Sequence, residues 1–307
     1  MSAAKQKFLV TGSDLAADAL ALLRDYEIIF AGSKPSEADI VALCRQHDPV
    51  AIIVRYSKVG AAAMDAAPSL KVISKHGSGT DTIDKQAAAQ RGIQVRAAAG
   101  ANAAAVAEHA IALLLACAKS VVTLDARMRA GHWDKATHKS LELEGRTIGL
   151  IGLGAIGARV ARIAQAMNMR VLGHDPYAKA FPDGVNLVEL DAIWRESDVI
   201  SLHCPLTADN QKMINAATLA ACKPGVMIVN TARGGLVDED ALLTAVRSGQ
   251  VGSAGLDSFA AEPMGAGHPF QSEARIVLSP HIGGVTADAY VKMGVGAANN
   301  ALAVLNG

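Results

Sequence analysis

Apolar positions along this chain follow two alternating rhythms. Short, nearly uniform β-rich runs, KFLV at 7–10, EIIFA at 27–31 and AIIVRY at 51–56, have the length and composition of buried strands. Between them, 14–26 and 36–47 mix apolar and polar residues at helical spacing. KVIS at 71–74, a helix near 82–91 and IQVRA at 93–97 continue the alternation, which predicts a parallel sheet covered by helices. A long Ala-rich helical region follows from about 103 to 129, and then a polar loop, GHWDKATHKS, at 131–140.

From Arg146 the pattern restarts with purer strands: TIGLIG, RVLGHD, VISLHC, VMIVNTA, SAGLD and RIVLSP. The last segment, 286–305, is again helical and Ala-rich, with the length to pack back on the first unit. The expected architecture is α/β with two doubly wound parallel-sheet domains. Residues 1–100 with 286–307 form a discontinuous outer domain, and 101–285 form a continuous inner one.

Composition narrows the class. The 307 residues carry 29 Lys+Arg against 29 Asp+Glu and are 51% hydrophobic, which excludes a mainly disordered chain and leaves no surplus charge for nucleic acid or an anionic membrane. The start, MSAAKQKFLVTG, lacks the pattern of a secretory leader, so a cytoplasmic protein is expected. The most apolar stretch, 97–118, is interrupted by Asn102, Glu108 and His109 and reads as a buried helix. Cys44, Cys117, Cys204 and Cys222 are far apart, fitting reduced thiols better than a disulfide frame, and no metal site is expected.

Gly152, Gly154 and Gly157 form GLGAIG between the strand TIGLI and the helical run ARVARIAQAM. The first glycine permits the tight turn, the second lets a pyrophosphate approach the backbone, and the third packs helix against strand, with the helix N-terminus facing the anion. Asp175 closes the next strand, where its carboxylate can accept from a ribose diol and repel a 2′-phosphate, favouring NAD over NADP. Arg233, Glu262 and His281 follow later strands, whose carboxyl ends line the ligand crevice of such sheets. Together they suit hydride-transfer chemistry on an alcohol. His281 is the acid/base, Glu262 orients the imidazole and stabilises its protonated form, and Arg233 grips a carboxylate.

The chain resembles the D-isomer-specific 2-hydroxyacid dehydrogenases, closest to the phosphoglycerate dehydrogenase branch. The resemblance covers nearly the whole length, through KHGSGTDTID at 75–84, GHWDK at 131–135, HCPLT at 203–207, NTARGGLVDEDAL at 230–242, LDSFAAEP at 256–263 and SPHIGG at 279–284. It implies a Rossmann cofactor domain inserted in a flavodoxin-like substrate domain, NAD as cofactor, and Arg233, Glu262 and His281 as the catalytic set. Cofactor contacts are implied at Ser78, Gly152, Gly154, Ala155, Ile156, Gly157, Asp175, Thr207, Thr231, Ala232, Arg233, Asp257, His281, Gly283 and Gly284. Ser78 and Gly79 fall on the loop that receives the substrate carboxylate, beside Arg233 and His281.

Within that family, formate dehydrogenases pair the catalytic His with Gln, which Glu262 argues against, whereas the triad does not exclude an NAD-sensing corepressor. The expected partner is a small 2-hydroxy or 2-oxo acid. Arg55, Lys58 and Lys135 are placed to surround its far end, favouring 3-phosphoglycerate and phosphohydroxypyruvate, and so serine biosynthesis, over hydroxypyruvate or glyoxylate. The loop carrying Trp133 implies a homodimer, by likeness to the arm of related dehydrogenases. His76 departs from the small residue usual in the carboxylate loop. The chain ends at Gly307 without the regulatory domain of many phosphoglycerate dehydrogenases, so serine feedback is not expected.

Overall fold

The computed structural model describes residues 5–307; the first four residues, on which the expectation of no leader partly rests, lie outside the described residues. The elements begin with β1 (Lys7–Val10), α1 (Ala17–Leu22), β2 (Glu27–Phe30), α2 (Glu37–His47), β3 (Ala51–Val54), α3 (Ala61–Asp65), β4 (Val72–Lys75), α4 (Lys85–Gln90) and β5 (Gln94–Ala97). They continue with α5 (Ala103–Lys119), α6 (Val121–Arg129), β6 (Thr147–Ile151), α7 (Gly157–Ala166), β7 (Arg170–His174), β8 (Val185–Leu187), α8 (Leu190–Glu196) and β9 (Val199–Leu202). The last are α9 (Ala216–Ala221), β10 (Val226–Asn230), α10 (Glu239–Ser248), β11 (Val251–Leu256), β12 (Ile276–Leu278) and α11 (Ala287–Leu305). The chain divides into two compact units, Met1–Asn102 with Val285–Gly307, and Ala103–Gly284.

In the first unit, five parallel strands stand in the order β2-β1-β3-β4-β5, the flavodoxin-like winding. β3 is buried along its whole length, whereas the edge strands β2 and β5 are partly exposed, so the most apolar run became the middle of the sheet. Side chains alternate between two cores. Leu9, Ile52 and Val54 pack under α2, α3 and α4, while Phe8, Val10 and Ile53 pack under α1 and α11. Helix α2 starts on a capping box in which Ser36 Oγ accepts from Asp39 N–H and the Asp39 carboxylate accepts from Ser36 N–H. Thr286 caps α11 in the same way as a single acceptor, for Ala289 N–H at 3.0 Å. Ser74 Oγ then donates to the Ala297 carbonyl at 2.8 Å, and Asn300 Nδ2 donates to the Ala97 carbonyl at 2.9 Å.

In the second unit, seven parallel strands stand in the order β12-β11-β10-β9-β6-β7-β8, the winding of a Rossmann sheet with one added strand. The order reverses between β6 and β9, which places the loops after these strands at the switch point where such sheets bind ligands.

Two details depart from the sequence reading, while the expectation of reduced thiols holds. The helical region 103–129 is two helices bent by 60°, because Ser120 takes a left-handed backbone (φ 53°) between them. β8 and α3 were not foreseen, because three and five residues are too few to display a period. All four cysteines are free thiols, and burial pushes each up to about 11, where it is unreactive. Among the described residues, no single helix is long and apolar enough to cross a membrane.

Candidate active site

β6 delivers the chain into GLGAIG, and each glycine meets a different constraint. Gly152 has φ 97°, and a Cβ there would stand 2.7 Å from the His203 carbonyl carbon. A Cβ on Gly157 would run into the Gly152 carbonyl oxygen, so the first turn of α7 closes against the turn before it. Gly154 is exposed with open space where a side chain would project. The protein itself therefore requires Gly152 and Gly157, and the vacancy over Gly154 suits an approaching pyrophosphate. Ala155 and Ile156 lead into α7, whose first turn closes on the glycine loop as Ala158 N–H donates to the Gly154 carbonyl at 3.0 Å and Arg159 N–H to the Ile156 carbonyl at 2.9 Å, with the positive end of the helix dipole at that loop.

Asp175, just past β7, accepts from Leu153 N–H at 2.8 Å and from Tyr177 N–H at 2.9 Å, which fixes its carboxylate beside the glycine turn. Beneath that turn His203 bonds Ser201 Oγ through Nε2 at 2.9 Å, and burial pushes its imidazole down to about 4, so it is neutral. Thr207 is exposed, and its N–H donates to Asn210 Oδ1 at 2.7 Å.

The loop after β10 is clamped by Asn230, fully buried at the strand end. Its Oδ1 accepts from Ala232 N–H and its Nδ2 donates to the Arg233 carbonyl, both at 2.9 Å. Arg233 is half-buried and donates from Nη1 to the Ala232 carbonyl at 2.7 Å. Gly234 has no room for a Cβ against the backbone of Phe259 and Ala260, so this loop lies directly on the one that carries Glu262. Thr231 Oγ1 is buried with no protein partner, a polar atom left over for a ligand.

Glu262 Oε1 accepts from Phe259 N–H at 2.9 Å, and its Oε2 accepts from His281 Nδ1–H at 2.7 Å. The two side chains are 37% and 46% exposed, so the pair is open to solvent and substrate. Because Nδ1 is taken, Nε2 is the imidazole atom available for proton exchange. His281 itself has a left-handed backbone (φ 54°). The buried Asp257 carboxylate holds that turn by accepting from Ile282 N–H at 2.9 Å and Gly283 N–H at 2.8 Å. Asp257, expected as a cofactor contact, thus spends its oxygens on the loop that also contains Gly284.

Arg233, Glu262, His281 and the remaining cofactor candidates belong to the second unit, as does Lys135, which is exposed; Ser78, Gly79 and Arg55 belong to the first. Ser78 Oγ donates to Asn102 Oδ1 at 3.1 Å. Arg55, expected to face the far end of the substrate, has a side chain that is 9% exposed, paired with Asp14, and stacked 5.0 Å from Tyr56 and 5.1 Å from Tyr290. His76, at 8% exposure, lies 5.5 Å from the Tyr290 ring, and burial with Arg55 beside it pushes its imidazole down to about 4. Asn230, Tyr290 and Asp14 escaped sequence reasoning. Only Asn230 left a signal, as a polar end to an otherwise apolar strand.

A Rossmann sheet with this glycine turn, a carboxylate after its second strand and a His–Glu pair on its later loops defines a dinucleotide-dependent oxidoreductase. The protein-family model "D-isomer specific 2-hydroxyacid dehydrogenase, NAD binding domain" matches residues 111–283. The chain is 40% identical over 280 residues to a hydroxypyruvate reductase of Thermotoga maritima, covering 91% of this chain and 92% of that protein. It is 38% identical over 276 residues to a D-3-phosphoglycerate dehydrogenase of Synechocystis, covering 89% of this chain but 49% of that one, so it spans about half the length of this relative. Among solved structures it is similar to the TT0316 protein of Thermus thermophilus, with a TM-score of 0.90, 37% identity, and coverage of 98% and 97%. The chain belongs to the D-isomer specific 2-hydroxyacid dehydrogenase family and is an NAD-dependent enzyme.

Proposed function

We propose that this enzyme interconverts 3-phosphoglycerate and phosphohydroxypyruvate, with Arg233, Glu262 and His281 as its catalytic residues. The observation that carries the catalytic assignment is the 2.7 Å hydrogen bond from His281 Nδ1 to Glu262, which leaves Nε2 as the proton-exchanging atom. In the oxidative direction Nε2 takes the proton of the substrate hydroxyl; in the reductive direction it returns one to the carbonyl oxygen. Glu262 holds the imidazole in one tautomer and compensates the charge it gains. Arg233 binds the substrate carboxylate. The glycine turn, Asp175 and Thr231 hold NAD, which supplies the hydride acceptor.

The phosphate preference rests on Arg55, a buried guanidinium just past β3, and on Lys75, whose Nζ donates to the Arg55 main-chain carbonyl. A second reading, a hydroxypyruvate or glyoxylate reductase, is favoured by the pairing of Arg55 with Asp14, which already neutralises the cation. We further propose that the chain forms a homodimer and works in the cytoplasm.

The test is kcat/KM with NADH for phosphohydroxypyruvate, hydroxypyruvate, glyoxylate and sulfopyruvate in the wild type, Arg55→Ala and His281→Ala. Phosphohydroxypyruvate should be the best substrate, and Arg55→Ala should cost it about 1.5–3 kcal/mol more than glyoxylate. A wild type that prefers glyoxylate, or an Arg55→Ala that weakens all four equally, selects the second reading. His281→Ala should lower kcat by about two to four orders of magnitude with NADH binding retained. An unchanged kcat would remove His281 from the mechanism.

A further inference from the structure

Behind the proposed catalytic loop lies a polar chain that the reaction scheme does not use. His109 on α5 bonds Ser279 Oγ through Nε2 at 2.8 Å, and Ser279 Oγ–H donates to Asp257 Oδ1 at 2.6 Å. A carboxylate only accepts, so the single hydroxyl hydrogen of Ser279 is committed to Asp257. The Ser279 oxygen must then accept from His109, which fixes the hydrogen on Nε2. That atom is also 3.4 Å from Asp257 Oδ1. The Asp257 side chain is only 2% exposed, and such a carboxylate is tolerable when its lone pairs are filled. They are filled by Ser279 and by the N–H groups of Ile282 and Gly283, the two residues after His281. Gly283 permits the close approach, since a Cβ there would stand 2.9 Å from Asp257 Oδ2 and 3.4 Å from His109 Cδ2.

We propose that His109 and Ser279 are positioning residues: through Asp257 they anchor the turn that aims His281, so that α5 sets the placement of the proton-exchanging imidazole. The inference rests on His281 being the acid/base. Asp257 accepts from the two N–H groups after His281 and from Ser279 two residues before it, and the left-handed backbone of His281 needs such restraint. Truncating His109 leaves Ser279 Oγ without its donor and loosens the hydroxyl that orders Asp257.

The experiment measures kcat, KM for NADH and Tm in His109→Leu, Ser279→Ala, His109→Gln, His281→Ala and the double variant His109→Leu/His281→Ala. His109→Leu and Ser279→Ala should each lose about tenfold in kcat with KM for NADH held within about twofold. His109→Gln, whose amide can donate to Ser279, should recover most of the loss. In the double variant, His109→Leu should cost nothing beyond His281→Ala, because its effect passes through that imidazole. A wild-type kcat in His109→Leu and Ser279→Ala overturns the proposal, as does a loss that remains in the His281→Ala background or tracks Tm without rescue by Gln. If instead His281→Ala alone retains wild-type kcat, the assignment of His281 fails, and the anchor loses its purpose with it.

Discussion

His76 and His203 are imidazoles that the fold keeps uncharged, the first by burial with Arg55 beside it and the second by burial alone, each down to about 4 from an ordinary 6.5. Below pH 6.5 the unfolded chain therefore binds protons that the native state refuses, and stability falls as pH drops. The loss runs from about pH 6.5 to about pH 4 and is absent at pH 7. By linkage each residue contributes a loss of about 2 kcal/mol at pH 5. Thermal unfolding between pH 7 and 4.5 should show Tm falling through this window, with a shallower fall in His76→Asn. The lowered carboxyls of Asp65 and Asp134, held down by Arg91 and Arg127, act in the opposite sense of charge and release their contribution only below this range. A Tm that stays level from pH 7 to 4.5 contradicts neutral, buried imidazoles.

Turns and strand ends show how one short motif carries separate duties. Gly157→Ala places a methyl against the Gly152 carbonyl and should lower stability by about 1–3 kcal/mol. Gly154→Ala meets no protein atom within 4 Å, so Tm should hold while KM for NADH rises about tenfold or more. If Gly154→Ala instead lowers Tm and leaves KM alone, the space above it is not the cofactor's. The same contrast explains what could be read beforehand. Central strands such as AIIV and TIGLI and the GLGAIG turn carry their reasons locally, in hydrophobicity or in missing side chains. β8 and α3 are too short to show a rhythm, and the break at Ser120 follows from no residue that forbids a helix. The Arg55 pairing with Asp14 spans 41 residues, and the His109 bond to Ser279 spans 170. Contacts of that reach exist only once the sheets are wound, so Arg55 read as a cation open to the substrate, without its Asp14 partner, and His109 as an interruption in an apolar helix.

For the molecule as a whole, α6 and the loop after it expose several large apolar side chains. No residue of α6 is buried; Val121 and Val122 are 54% exposed, Met128 51% and Trp133 75%. Exposed apolar side chains of this kind fit the proposed homodimer. Sedimentation at micromolar concentration should give dimers for the wild type and a shift toward monomers for Trp133→Glu; wild-type monomers alone would reject it. Helix α11 has a consequence of another kind, in the order of synthesis. Its alanines at 297, 298 and 301 are fully buried against the core of Phe8, Val10 and Ile53, residues that leave the ribosome roughly 240 to 290 positions earlier. The second unit, contiguous in sequence, can close as it emerges, whereas the oldest part of the nascent chain must keep one apolar face sheltered until the final helix arrives. A message cut short before residue 287 would therefore damage the fold at the opposite terminus from the cut, leaving the β1–β5 sheet to aggregate or to chaperones while the second unit still folds.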